Sequence, residues 1–326
     1  MTTTTWRFGA FAPQGWKTEL AGIEGAAAQW QRCLDTALTA EELGYDSIWV
    51  YDHFHNVPTP SHEAVFECWT TMAALAQATS TIRLGQMVSC TSYRPPTLTA
   101  KITSSIDVIS GGRLDWGVGA GWYDQEYRAY GYEYPKPAVR IGMMREAVEI
   151  VKAMWTGADT TYDGRHYQVA GAQCDPKPLQ RPHPPVWIGG GGEQLTLKVV
   201  ARHANVSNFG GKPEEWRHKR EVLQGHCRDV GRDEDQIVKS WSPELVVRGT
   251  EAEAKALHEA RRVAQPWLEE WDSYRLGNLA GTGEQVLERL ALYGDLGVSY
   301  VVAWMPDYPG EETLRRFADE VMPELR

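Results

Sequence analysis

Residues 44–55 read GYDSIWVYDHFH, and this stretch decides the fold. Ile48, Trp49, Val50 and Tyr51 form an apolar, β-prone run, too short for a helix and bounded by turn formers, which reads as a buried strand. Asp52, His53 and His55 arrive together at its C-terminal end. Upstream, a helical pattern from Ala26 to Leu43 closes at Gly44, where a left-handed residue ends helices. A helix feeding a buried strand that ends in ionisable groups is how α/β enzymes place chemistry at the carboxyl edge of a parallel sheet.

The same alternation runs outward in both directions. Strands are predicted at Arg7–Ala12, Thr81–Val88, Leu114–Val118, Pro185–Ile188, Asn205–Asn208, Ile237–Val247 (bent at Pro243) and Tyr300–Trp304. Helices are predicted at Glu63–Ala78, from Pro95–Pro96 to Ile109, at Val139–Trp155, from Gly189–Gly192 to Arg202, and at Glu214–Val230, Gly283–Leu296 and Glu311–Met322. Residues 251–275 read as one or two helices broken before Pro266. The rhythm breaks once. Thr160–Val169 carries Asp163-Gly164 between alternating residues, which reads as a β-hairpin, and a proline-rich loop follows to Pro185. Eight strands alternating with helices predict a single α/β domain over residues 1–326, a (β/α)8 TIM barrel with an insertion at about 157–185.

Composition narrows the function. With 42% hydrophobic residues the chain can bury a large core, and its net charge of −10 argues against nucleic acid or an anionic membrane as a partner. No apolar run approaches the roughly 20 residues of a membrane span. The start, MTTTTWRFGAF, lacks the basic and apolar parts of a secretion signal. Five cysteines, none in CxxC spacing, suggest neither a disulfide framework nor structural zinc, so a cytoplasmic location is expected.

Four stretches carry candidate chemistry. His53 reads as a general acid or base oriented or tuned by Asp52; the competing reading is a polar loop that caps the next segment. His53 and His55 also open a metal-pair reading, as in metal-dependent hydrolases. His203 falls in or after a helix, His166 and His183 in the insertion, and His218, His226 and His258 in helices, so no metal is expected. Gly189–Gly192, between a strand and a helix, frees backbone N–H groups for a phosphate. It matches neither GxGxxG nor a Walker loop. In GVGAGWYDQE (117–126) the small residues let a flat group lie against backbone, with Trp122 and Tyr123 as walls; Asp124 and Glu126 read as helix-capping acids. Gly85–Cys90 alone is simply a barrel strand.

Taken together, AEELGYDSIWVYDHF, GQMVSCTSYRPPTLTAK, GGRLDWGVGAGWYDQEYRAYG, PVWIGGGGEQLT and LGVSYVVAWMP resemble the luciferase-like superfamily of flavin- and deazaflavin-dependent oxidoreductases, in particular its coenzyme F420-dependent branch. The resemblance implies an F420-dependent hydride transfer to or from a small organic substrate, with an FMN-dependent monooxygenase as the alternative. It implies a non-prolyl cis peptide at Met87–Val88 behind the cofactor ring, and cofactor contacts from Asp52, Met87, Val88, Ser89, Ala120, Gly121, Gly189, Gly190, Gly191, Gly192 and Thr196. It places His53 at the catalytic face and Trp16, Trp122 and Trp304 around the substrate. Arg94, Lys101, Arg128, Lys136 and Lys198 are candidates for the acidic F420 tail. Sugar-phosphate dehydrogenases of this branch carry a carboxylate where this chain has Trp122, so a hydrophobic substrate is expected instead. A homodimer is a further expectation of the resemblance.

Overall fold

The computed structural model describes residues 5–326. Its strands in chain order are β1 (Arg7–Phe11), β2 (Ser47–Val50), β3 (Arg83–Gln86), β4 (Ser89–Cys90), β5 (Leu114–Gly119), β6 (Thr160–Asp163), β7 (Gln168–Ala172), β8 (Val186–Gly189), β9 (Val206–Asn208), β10 (Val238–Trp241), β11 (Leu245–Val247), β12 (Leu279–Gly281) and β13 (Val298–Ala303). The main sheet runs β3-β2-β1-β13-β10-β9-β8-β5-β4, and a further β3–β5 pairing closes it. β3 and β4 are one stave interrupted at Met87–Val88, so the nine strands make the eight staves of a (β/α)8 barrel. Helices surround it, as the alternation predicted.

Large aromatic side chains fill the middle of the barrel. Trp49 stands edge-to-face on Trp187 with ring centroids 4.4 Å apart, and Trp187 likewise on Tyr300 at 4.8 Å. The Trp49 indole donates to Ser47 Oγ at 2.6 Å, and the Tyr300 hydroxyl donates to the same oxygen at 2.7 Å. Neighbouring strands make room with glycine. A Cβ on Gly85 would sit 2.3 Å from the Trp49 ring, and one on Gly9 would sit 2.7 Å from its indole nitrogen. Packing therefore accounts for Trp49 and Trp187, as it does for Trp116 against Trp155 and for Trp241 stacked on Tyr293.

Several boundaries differ from the sequence expectation, each for a local reason. The helix expected from Glu63 begins at Cys68: Glu67 caps it by accepting from the Thr70 N–H, and the Phe66 N–H is tied to Gln14 O. The helix after the glycine run begins only at Thr196. The hairpin forms, but its strands are joined by four residues (164–167) rather than a two-residue turn, and Glu146 accepts from the N–H groups of Arg165, His166 and Tyr167. The long strand expected over Ile237–Val247 is two. After β10 the chain turns at Ser242-Pro243, and β11 leaves the barrel to pair with β12, a strand the sequence did not suggest. Leu279–Gly281 is three residues long, and only its partner makes it a strand.

The glycine–tryptophan fit is directly testable. Gly85→Ala should lower stability by about 1–3 kcal/mol through overpacking against Trp49, read as a lower urea midpoint at unchanged m. Gly22→Ala, where a Cβ meets nothing within 4 Å, should be near neutral.

Candidate active site

The loops at the carboxyl ends of the barrel strands converge on one cavity of about 390 Å3. Gln14, buried after β1, ties two of these loops together. Its side chain accepts from the Tyr51 N–H at 2.7 Å and donates to the Tyr51 carbonyl at 2.9 Å. That clamp sets the Gln14–Glu19 loop over the end of β2, and Trp16 stacks on His53 with centroids 4.3 Å apart and planes within 2°.

The two acids near β2 form separate networks. Asp52, 2% exposed, accepts from the Cys90 N–H at 2.9 Å and takes Arg94 as a two-pronged partner at 2.7 and 3.0 Å. Arg94 also reaches Glu67 at 2.7 Å. Burial pushes the Asp52 carboxyl up, with Arg94 opposing it. His53 does not pair with Asp52. Its Nδ1 lies 2.8 Å from Oε2 of Glu126. Glu126 is fully buried and also accepts from the Tyr93 hydroxyl at 2.6 Å, the Phe54 N–H at 2.5 Å and the His55 N–H at 3.2 Å. Burial works to raise its pKa, but the His53 contact and the other donors overcome this and hold the carboxyl below its usual range.

Met87–Val88 is a cis peptide, and glycines on the next two staves leave room for it. A Cβ on Gly119 would stand 2.4 Å from Val88 Cγ2, one on Gly189 would stand 2.7 Å from Val88 Cγ1, and one on Gly117 would stand 1.7 Å from the Gln86 carbonyl oxygen. Cys90, beside the bulge, stays a thiol because burial pushes it up to about 12.

Of the residues singled out from sequence, Asp52, His53, Met87, Val88, Ala120, Gly121, Gly189, Gly190, Thr196, Trp16 and Trp122 line this cavity. Ser89, Gly191, Gly192 and Trp304 do not. Ser89 is turned into the strand layer, where its hydroxyl donates to Gly117 O at 2.6 Å. Trp304 is buried beneath the Lys17 ammonium, 4.0 Å from its ring. His55 packs edge-on against Tyr123 and Tyr130, and among the described residues no three His, Cys, Asp or Glu side chains stand together as a metal set.

Three residues were missed. Glu126 does not cap its short helix; Asp124, the other expected capping acid, pairs with Arg128 at 2.6 Å. Gln14 gave no signal at all. Arg140, on the helix Pro137–Thr156, lines the cavity while the basic residues proposed for an acidic tail do not. Its guanidinium donates to the Gly121 and Pro135 carbonyls and lies 4.0 Å from the Tyr134 ring centroid. No carboxylate among the described residues pairs with it.

A family model described as luciferase-like monooxygenase matches residues 7–279. The chain belongs to this family. Relatives in sequence include an F420-dependent glucose-6-phosphate dehydrogenase of Amycolatopsis mediterranei, 26% identical over 94% of this chain and 98% of its own length. Another of the same name, from Nocardia farcinica, is 28% identical over 94% and 97%. An F420-dependent secondary alcohol dehydrogenase solved with an F420–acetone adduct superposes with a TM-score of 0.83 at 19% identity, covering 99% of both chains. A Streptomyces bottropensis monooxygenase superposes at 0.79 and 21% identity, covering 98% of this chain and all (100%) of its own. At such identities these solved structures show the shared fold alone.

The depressed Glu126 carboxyl makes an acid-stability prediction. A carboxyl held below its ordinary value of 4.5 contributes stability that is fully present above that pH and is lost as pH falls through the folded value. Urea midpoints of the wild type should therefore fall more steeply below pH 4.5 than those of Glu126→Gln. Parallel slopes would remove Glu126 from the acid transition.

Proposed function

We propose that this protein is an F420-dependent oxidoreductase that moves a hydride between the deazaflavin and a small hydrophobic substrate. The observation that carries the reading is a cavity at the carboxyl ends of the strands whose wall joins the small residues Gly119, Ala120, Gly121, Gly189 and Gly190 to His53. Side chains at Gly119 and Gly189 would collide with Val88, which forms part of the cavity wall. The cavity also suits the rest of such a cofactor. Gly189, Gly190 and Thr196 offer small polar surface for a phosphate, and Arg140 is the one Lys or Arg side chain on the wall among the described residues. When bound, F420 supplies the carbon that gives or accepts hydride.

The chain's own residues do the rest. His53 delivers or removes the proton that accompanies the hydride. Asp52, held by Arg94, shapes the polar floor beside Cys90 without being free to compete for that proton. Trp16 and Trp122 wall the substrate side. Trp122 is 60% exposed at the mouth, an apolar surface ready to be covered. Trp122, standing where sugar-phosphate dehydrogenases carry an acid, favours an uncharged substrate over a sugar phosphate.

The same reading takes the enzyme as a cytoplasmic homodimer. Leu98 and Ile109, each about half exposed on the helix Pro96–Ile109, are surface that a second copy would cover. A light-scattering mass of 36.6 kDa at micromolar concentration would remove the dimer from the proposal.

Titration with F420 and, separately, FMN tests the cofactor. Micromolar F420 binding with weak FMN binding is expected; a preference for FMN would move the protein to oxygen-consuming chemistry. Arg140→Met should weaken F420 binding about 10–100-fold, the loss of one or two charge-assisted hydrogen bonds. His53→Ala should cut turnover by about 10²–10⁴-fold while leaving F420 binding in place. Near-normal turnover would exclude His53 as the acid or base.

A further inference from the structure

We propose that Glu126 is a positioning residue that fixes His53 as its Nδ1–H tautomer and leaves Nε2 as the proton-accepting atom for a substrate hydroxyl. The tautomer follows from counting donors. Glu126 is fully buried, and three groups that can only or most readily donate already point at it: the Phe54 and His55 N–H groups and the Tyr93 hydroxyl. Three donors around one buried carboxyl leave it an ionised carboxylate, which only accepts. The fourth partner, His53 Nδ1 at 2.8 Å, must therefore carry hydrogen. In a neutral imidazole the other nitrogen is then an acceptor. Nε2 is the nitrogen left for the cavity that His53 lines.

Ring and backbone are held by the same acid. Two of the four donors to Glu126 belong to the residues that follow His53 in the chain, so the carboxylate fixes the loop as well as the imidazole. Trp16 covers one face of the ring at 4.3 Å, and Trp122 and Tyr123 stand edge-on at 6.0 Å each. Asp52, the neighbour in sequence, is not available for this role because Arg94 and the Cys90 N–H occupy it.

This assignment rests on the proposed function and deepens it. Were F420 bound to supply hydride chemistry, Nε2 would be placed to take the proton of a substrate hydroxyl. The imidazolium so formed is stabilised by Glu126. In the reducing direction Nε2–H returns the proton to the carbonyl oxygen as hydride arrives at carbon.

Long-range 1H–15N correlation of the 15N-labelled wild-type protein at pH 8.5 tests the tautomer without substrate or cofactor. The His53 signals are assigned by their loss in His53→Asn. A protonated Nδ1 and a bare Nε2 are expected. Glu126→Gln should lose this pattern, while Tyr93→Phe, which leaves Glu126 in place, should keep it. An Nε2–H tautomer in the wild type, or an unchanged pattern in Glu126→Gln, overturns the proposal, and the wild-type spectrum decides even if the variant does not fold. With F420 and an alcohol panel, Glu126→Gln should lower kcat about 10²-fold at unchanged F420 affinity. Absence of F420 binding in the wild type would count against the cofactor reading alone, since the tautomer is read independently.

Discussion

The interior of a closed eight-stave barrel holds a fixed and small amount of side chain, and how this chain spends that volume sets everything above it. In the middle layer the space goes to Trp49, Trp187 and Tyr300, with Gly9 and Gly85 yielding to the indole. One layer nearer the carboxyl ends, Gly119 and Gly189 replace large residues on β5 and β8, and only Val88 intrudes between them. A full layer beneath an emptied one produces a cavity with a rigid floor. The cavity floor is thus a consequence of which inward positions are tryptophan and which are glycine.

Two buried acids beside that floor are kept apart by their partners. An uncompensated charge in such a place costs several kcal/mol, so each carboxylate needs its own complete set of donors. Asp52 has a guanidinium and a backbone N–H; Glu126 has an imidazole, a phenol and two backbone N–H groups. The difference matters chemically. Arginine does not give up its proton, so the Asp52 network is permanently closed. Imidazole can exchange a proton, so the Glu126 network includes a general acid–base group whose ring lines the cavity. The acid next to His53 in sequence pairs with Arg94, and the acid 73 positions away is the one in contact with the imidazole.

Much of the barrel was legible because its signals are local. The run Ile48–Tyr51 between Gly44 and Asp52 identifies a buried strand without any tertiary knowledge, and Gly44, at φ +79°, ends the preceding helix as its position implied. Pro96 opens its helix for an equally local reason. What was not legible depends on partners distant in sequence. β11 and β12 are strands only because they find each other, and the helix after Ser61 starts late because Gln14 holds Phe66. Glu126 shows the limit most clearly. Its position in a helix's first turn suggests a capping role, but its burial against His53 and Tyr93 is a property of the assembled loops. The bulge at Met87–Val88 lay between these cases: periodicity read an unbroken strand, and only the family resemblance pointed to the interruption.

The mouth of the cavity bears on what a substrate gains by binding. Apolar surface removed from water is worth roughly 25 cal/mol per Å2, and Trp122 holds most of its indole in solvent, stacked at 5.1 Å on Tyr123 and anchored through its carbonyl by the Tyr134 hydroxyl. An aromatic ring so fixed and so exposed loses little conformational freedom when a ligand covers it, so most of the burial appears as affinity. A phosphate-bearing substrate would gain nothing from that surface. A group entering past Trp122 meets Trp16 and His53 stacked on each other on the same wall, so the aromatic surface continues from the mouth to the imidazole.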